Sequence, residues 1–207
     1  MWWRRQSMKK WPAVNIQLGV QSEIDEDVIL GYPSSRLEKV GDLVLGDYAK
    51  IRSGSVIYQH VKIGSHFQSG HHVVIREEND LGDHVSIWTN TVIDYGCRIG
   101  SRVKIHSNGY VAQYTVIEDD VFVAPGVIFA NDKYPVSSHL IGPHLKKGVR
   151  VGVNVTLLPG VVVGEEALIG AGSVVTKDIP PRVVAVGNPA KVIATVEEVE
   201  AKRNVKQ

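Results

Sequence analysis

The sequence predicts an all-β solenoid, a parallel β-helix of triangular cross-section, and three observations predict it. An apolar residue returns every sixth position: Leu45, Ile51, Ile57, Ile63, then after one lapse at Ser69, Ile75, Leu81, Ile87, Ile93, Ile99, Ile105, Val111, Ile117, Val123 and Phe129. The beat resumes in a new phase at Val151, Leu157, Val163, Ile169 and Val175. A short or acidic residue often follows the apolar one, as at Gly46, Gly82, Gly100 and Glu118, and a small or β-branched residue recurs four places on, as at Ala49, Ser55, Val73 and Thr91. Six is no helix period. A fixed short repeat marks a solenoid whose units bury their apolar faces only against their neighbours. Three six-residue sides close one coil, and alternation along each short strand points both repeating positions inward. Residues one coil apart then stack at about 4.8 Å, in roughly six coils.

The elements follow in order. Residues 1–44 form an N-terminal segment. Its first twelve residues, MWWRRQSMKKWP, are basic and aromatic, suited to a membrane surface, a neighbouring subunit or, most often, a loose terminus. Ile24 to Gly31 reads as a first short coil, and the irregular stretch 32–40 as a cap over exposed strand edges. Residues 45–180 are the β-helix proper. Its register lines up His71, His72, Asn90 and Asn108 on one edge, Glu77, Tyr95, Gln113, Asn131 and Asp132 on the next, and His66, His84, Arg102 and Asp120 on the third. Arg76 and Asp94 are one coil apart and are expected to pair as ions.

The beat breaks after Phe129. Residues 131–147, NDKYPVSSHLIGPHLKK, have no register and read as an excursion leaving the edge of Glu77 and Gln113. Chemistry is expected beside such a loop, because a rigid scaffold holds it while its side chains stay free to act. Pro180-Pro181 are expected to end the solenoid, and residues 181–207 to form a turn at Gly187–Pro189 and a short helical tail.

Composition bounds the function. The 23 basic and 22 acidic residues nearly cancel, so no nucleic-acid footprint follows. Cys97 is alone, which excludes a disulfide framework and fits a reducing compartment. With neither a signal-peptide pattern nor a membrane-spanning apolar run, the expectation is a cytoplasmic protein with no membrane partner.

The span VRVGVNVTLLPGVVVGEEALIGAGSVVTKDIPPRVVAVGNPAKVI (149–193) is similar to the C-terminal coils of coenzyme A-dependent hexapeptide-repeat acyltransferases. IEDDVFVAPGVIFANDKYP (117–135), with VKIHSN (103–108), resembles more particularly the branch that acetylates amino groups of nucleotide-linked deoxysugars for surface polysaccharides. The resemblance implies a left-handed β-helix, against the usual right-handed rule for parallel crossovers. It also implies a homotrimer using acetyl-CoA, with the coenzyme in a groove between subunits and its thioester near the excursion.

Residue chemistry supplies candidates for these roles. A pantetheine arm needs a groove free of bulky side chains, which points to Gly152, Gly170, Ala171 and Ser173. Lys177, Arg182 and Lys191 follow that segment and suit the coenzyme's phosphates. The same small residues also suit tight corners. Acyl transfer from a thioester needs a held nucleophile, a proton acceptor and a stabilised oxyanion. His106, in the shared IHSN segment, is the candidate base, with Asn108 beside it. Asn131, Asp132, Glu77 and His72 are assigned to the acceptor. No metal site is assigned. Two other readings stand beside this one: a three-histidine metal centre of His66, His84 and His71, as carbonic anhydrases on this solenoid use, and a non-catalytic scaffold.

Overall fold

The computed structural model describes residues 9–10 and 14–204. Three parallel sheets wrap a single core. Among the described residues, face A holds nine strands, running from Lys9–Lys10 through Ile29–Tyr32 and Val74–Ile75 to Val174–Val175. Face B holds eight, from Ile16–Leu18 to Val162–Val163, and face C ten, from Glu23–Ile24 to Val183–Val186 and its antiparallel partner Lys191–Thr195. The chain passes from B to C to A in each turn, giving eight coils among the described residues where the hexads alone suggested about six. The extra coil comes from the N-terminal end, where Ile16–Tyr32 make a full first turn, and Leu145 supplies the hexad missing between Phe129 and Val151.

Strands in the uninterrupted coils pair in register eighteen residues apart, as in Val74↔Val92↔Tyr110. Inward residues are buried as the hexads require, from Leu45 to Val175. The lapse at Ser69 is accommodated by a hydrogen bond: its buried hydroxyl accepts from the Arg52 N–H at 2.9 Å. Between sides the chain turns through four residues. The third of these takes left-handed backbone at His72, Asn90, Asn108 and Asn154, with φ between 55° and 60°. Asparagine and glycine enter that region at least cost.

Two segments leave the coil, both at the corner from A to B: residues 33–42 and 130–143. The second rejoins at His144–Leu145, which pair with Val116 and Ile117. The excursion therefore closes earlier than the expected boundary of 147, because Leu145 already fills an inward position six residues before Val151. Its base is tied by the Ile141 N–H donating to the Asn131 carbonyl at 2.8 Å. Gly142 crosses Thr115 so closely that a Cβ would lie 2.4 Å from its backbone nitrogen.

The first segment is not an end cap but an arm along the A–B corner, held there by Arg36. Nor do Pro180-Pro181 end the solenoid, since Val183–Val186 extend face C and Lys191–Thr195 fold back on them. The tail helix forms at Val196–Asn204. Of the basic aromatic stretch, Lys9–Lys10 pair with Ile29 and Leu30, and the rest lies outside the described residues. Among the described residues no helix is long and apolar enough to cross a membrane.

Candidate active site

The fold sorts the candidate residues onto two corners. His72, His106, Asn108, Gly152, Gly170, Ala171 and Ser173 stack along the corner between C and A; Glu77, Asn131, Asp132 and Lys177 belong to the corner between A and B. The outer surface of face A, with Val74, Val92, Tyr110 and Ile128, separates them. His106 and the excursion thus stand on opposite borders of one face.

His106 begins its corner with a half-buried ring, 5.1 Å from Phe122 and 6.5 Å from Trp88 between centroids. Among the described residues that ring makes no hydrogen bond, so both nitrogens are available. Asn108 holds left-handed backbone and accepts from Asn90 Nδ2 at 3.4 Å. His72, exposed, lies over Gly54 one coil below.

On the other corner, polar groups join into a ladder across coils. Asp94 Oδ1 accepts from Arg76 Nη1 at 2.9 Å, and its Oδ2 accepts from the Tyr110 hydroxyl at 2.7 Å and from Gln113 Nε2. Gln113 Oε1 in turn accepts from Asn131 Nδ2. Below, Glu77 is fully buried between Arg36 and Arg76, at 2.9 and 3.0 Å. The Arg36 guanidinium also lies 3.7 Å over the Tyr95 ring. Burial alone would push the Glu77 carboxyl up, but hydrogen bonds from its own backbone N–H, Arg36 and Ser34, with the Arg76 charge, hold it below the usual carboxylate range. Burial and the bond to Asp94 push the Tyr110 hydroxyl up to about 12.

Glu77 is therefore a buried anchor with no surface left to offer an acceptor. Asp132 is likewise engaged: it accepts from the N–H groups of Tyr134 and Ser137 and from the Ser137 hydroxyl, at 2.9 to 3.0 Å. Sequence reasoning found the Arg76–Asp94 pair but missed Arg36, Tyr110 and Gln113 as its extensions. Tyr110 and Gln113 lie 16 and 19 residues from Asp94, off the eighteen-residue stacking distance, and Arg36 lies in a segment with no register.

The coenzyme candidates separate further. Gly170 is small because a Cβ would meet Val186 Cγ1 at 2.5 Å, and Gly152 because Ala171 packs on it. The buried Ser173 hydroxyl donates to the Gly170 carbonyl at 2.6 Å and accepts from the Gly187 N–H at 3.0 Å. Gly172 differs: a Cβ there meets nothing within 4 Å, so the corner is open above it and fits a thin ligand arm. The three cations do not share one groove. Lys177 sits on the A–B corner, Arg182 is paired with Glu166 and Glu197 beyond the B–C corner, and Lys191 opens the terminal strand next to Ala190, whose N–H donates to Val174 at 2.8 Å. The cause is the extra strand at Val183–Val186, which carries the chain across face C.

His66 and His84 stack 4.4 Å apart at 4°, with Tyr48 below at 4.8 Å. His71 is on a different corner, bonded through Nδ1 to the Ser53 hydroxyl at 2.7 Å, so the three histidines do not converge.

These coils and corners define a hexapeptide-repeat protein of the left-handed β-helix class. Residues 142–177 match the family described as bacterial transferase hexapeptide (six repeats). Galactoside O-acetyltransferase of Escherichia coli (strain K12) is 38% identical over 115 residues, 48% of this chain and 57% of that protein. An acetyltransferase-like protein of Staphylococcus aureus (strain COL) is 39% identical over 127 residues, 56% of this chain and 64% of that one. The chain thus spans about three-fifths of the length of these relatives. Among solved structures it is similar to WeeI from Acinetobacter baumannii AYE, with TM-score 0.52 and 27% identity over 58% of this chain and 55% of that one. The polySia-specific acetyltransferase NeuO matches with TM-score 0.51 and 25% identity over 89% and 88%.

Proposed function

We propose that the protein is an acetyl-CoA-dependent acetyltransferase, acting in the cytoplasm as a homotrimer on an amino group of a nucleotide-linked deoxysugar. The observation that carries the reading is the split of candidates across face A. A site holding both His106 and the excursion needs a second copy, whose A–B corner lies against the C–A corner of the first. A closed threefold arrangement repeats that contact at each interface. The acetyltransferase relatives support the reaction class.

In the reaction the amine nitrogen attacks the thioester carbon, the C–S bond breaks, and amide and free thiol form. His106, whose ring makes no hydrogen bond among the described residues, takes the proton the amine loses and returns it to the leaving thiolate. Asn108 and Asn131 orient the acceptor. The open corner at Gly172 receives the pantetheine arm, with Lys191 near its phosphates. The amino-sugar assignment rests on the VKIHSN and NDKYP segments. O-acetylation of a saccharide is the second reading, favoured by the similarity to galactoside O-acetyltransferase.

The test is to offer a panel of amino-sugar nucleotides and simple saccharides with acetyl-CoA and to follow thiol release. Release with amino-sugar nucleotides alone supports the proposal. Turnover of saccharide hydroxyls alone moves it to the second reading, and no release with any acceptor defeats both. Light scattering should give three times the chain mass of 22.7 kDa; a fully active monomer would rule out the shared site.

A further inference from the structure

On the corner between C and A, the residue that follows the inward one is small in several coils: Gly70, Ala124, Gly152 and Gly170. Two adjacent coils break this habit with large rings, Trp88 and His106. Trp88 is 36% exposed, and Phe122 beyond His106 is 38% exposed. Across face C, the opposite corner carries the stacked His66 and His84 rings, both on left-handed backbone where glycine or asparagine costs less. Between these walls lies a trough of about 560 Å³, floored by Gln68, Ser86 and Lys104. It continues one coil upward past Phe122 as a space of about 600 Å³ that shares His84 and Lys104.

The chemistry of the lining is uniform in one respect. The Trp88 indole N–H, the Gln68 amide, the Ser86 hydroxyl, the Lys104 ammonium and the three imidazoles make no hydrogen bond or ion pair among the described residues. Arg102 nearby is committed to Asp119 and Asp120, which leaves Lys104 as the available cation of the trough among the described residues. The A–B ladder is the opposite case, with every buried group paired. Flat rings on two walls, donors and acceptors on the floor and one cation suit a planar heteroaromatic base carrying phosphate. The size is that of a small-molecule site.

We infer that this trough binds a nucleotide, with its base against Trp88 and the His66–His84 stack and its phosphates at Lys104. Two sources share this chemistry under the reading above: the nucleotide of the acceptor and the adenine nucleotide of coenzyme A. The trough runs into the His106–Asn108 corner, away from the open corner at Gly172, which favours the acceptor. The assignment of source rests on the acetyltransferase reading, whereas nucleotide binding itself does not.

The experiment is calorimetric titration of the full chain with uridine diphosphate, thymidine diphosphate and coenzyme A, in the absence of transfer. Stacking on an aromatic side chain is worth about 1–3 kcal/mol per base, so Trp88→Ala should weaken diphosphate binding by about 5- to 150-fold. Trp88→Phe should recover most of it. Lys104→Gln should weaken the diphosphates while leaving the uncharged nucleosides unchanged, and this exposed position keeps the test open if Trp88→Ala does not fold. If coenzyme A alone responds to these substitutions, the trough is a nucleotide site whose source is the coenzyme. If no probe binds, or if every probe binds wild type and both variants alike, the inference is overturned even where acetyl transfer is intact. It is equally overturned if Trp88→Ala lowers the assembly mass, since the ring is then a subunit contact. Binding without transfer to any acceptor would instead sink the proposed function and leave the trough standing.

Discussion

Arg76 reaches across one coil to Asp94, Nη1 to Oδ1 at 2.9 Å, and this bond is the middle rung of a ladder that runs from the arm at Arg36 to the excursion at Asn131. Asp94 is only 5% exposed and accepts from Arg76, Tyr110, Gln113 and the Tyr95 N–H. Removing one partner of a buried pair costs about 3–5 kcal/mol. Arg76 is 29% exposed, which sets Asp94→Ala at the lower end, about 3 kcal/mol, read as a fall in urea midpoint. A loss under about 1 kcal/mol would put the ladder in the class of surface ion pairs.

Glu77 makes stability sensitive to acid. Its folded pKa lies below the ordinary carboxylate value, despite burial, because of its hydrogen bonds and the two arginines. A depressed carboxyl contributes its stability above the unfolded pKa, about 4.3, and loses it as pH falls through the folded value. The stability gap between wild type and Glu77→Gln should therefore be full near neutrality and close progressively below about pH 4. Urea melts at several pH values would show it, and a gap constant down to strong acid would contradict it.

Cys97 should be silent to thiol reagents in the native state. Burial pushes its thiol up to about 12, and its Sγ donates toward the Asp94 and Ala112 carbonyls at 3.2 and 3.3 Å. The thiolate is the reactive form. A disulfide reagent should titrate nothing until denaturant is added, which also keeps a thiol-release assay free of protein background. Rapid native labelling would show that the coils open locally near Cys97.

His106→Asn should lower kcat about 10²- to 10⁴-fold with little change in KM or stability, if the ring takes the proton. The position is half exposed, so folding should survive. A variant keeping more than about a third of wild-type kcat would move catalysis to positioning by Asn108 and Asn131.

Lys191 and Arg182 should behave differently toward the coenzyme. Lys191→Ala should raise the KM for acetyl-CoA and leave kcat nearly unchanged, as loss of a remote charge contact does. Arg182 is occupied by Glu166 and Glu197, so Arg182→Ala should act only weakly, on the hold of the tail helix, as loss of an exposed ion pair does. A larger KM effect from Arg182→Ala than from Lys191→Ala would place the phosphates on the B–C side.

The coil itself was legible in the sequence. Its period is carried by the inward residues, and burial of Ile75, Ile93 and Val111 at successive coils is a local requirement that each hexad states for itself. Spacing also sufficed for contacts between coils, because residues eighteen apart must stack; Arg76–Asp94 and His66–His84 were found that way. Only the tertiary structure decided what the irregular segments do. Arg36 meets Glu77 across forty-one residues of chain, and no repeat encodes where a segment without register will lie. Likewise, the hexads put His106 and Asn131 on named edges, but the breadth of face A, which keeps them apart in one chain, exists only once three sides have closed around a core. The separation of Lys177, Arg182 and Lys191 has the same cause: after the last hexad the path depends on Val183–Val186 pairing with Leu168 and Ile169, a long-range choice set by which strand edge remains open.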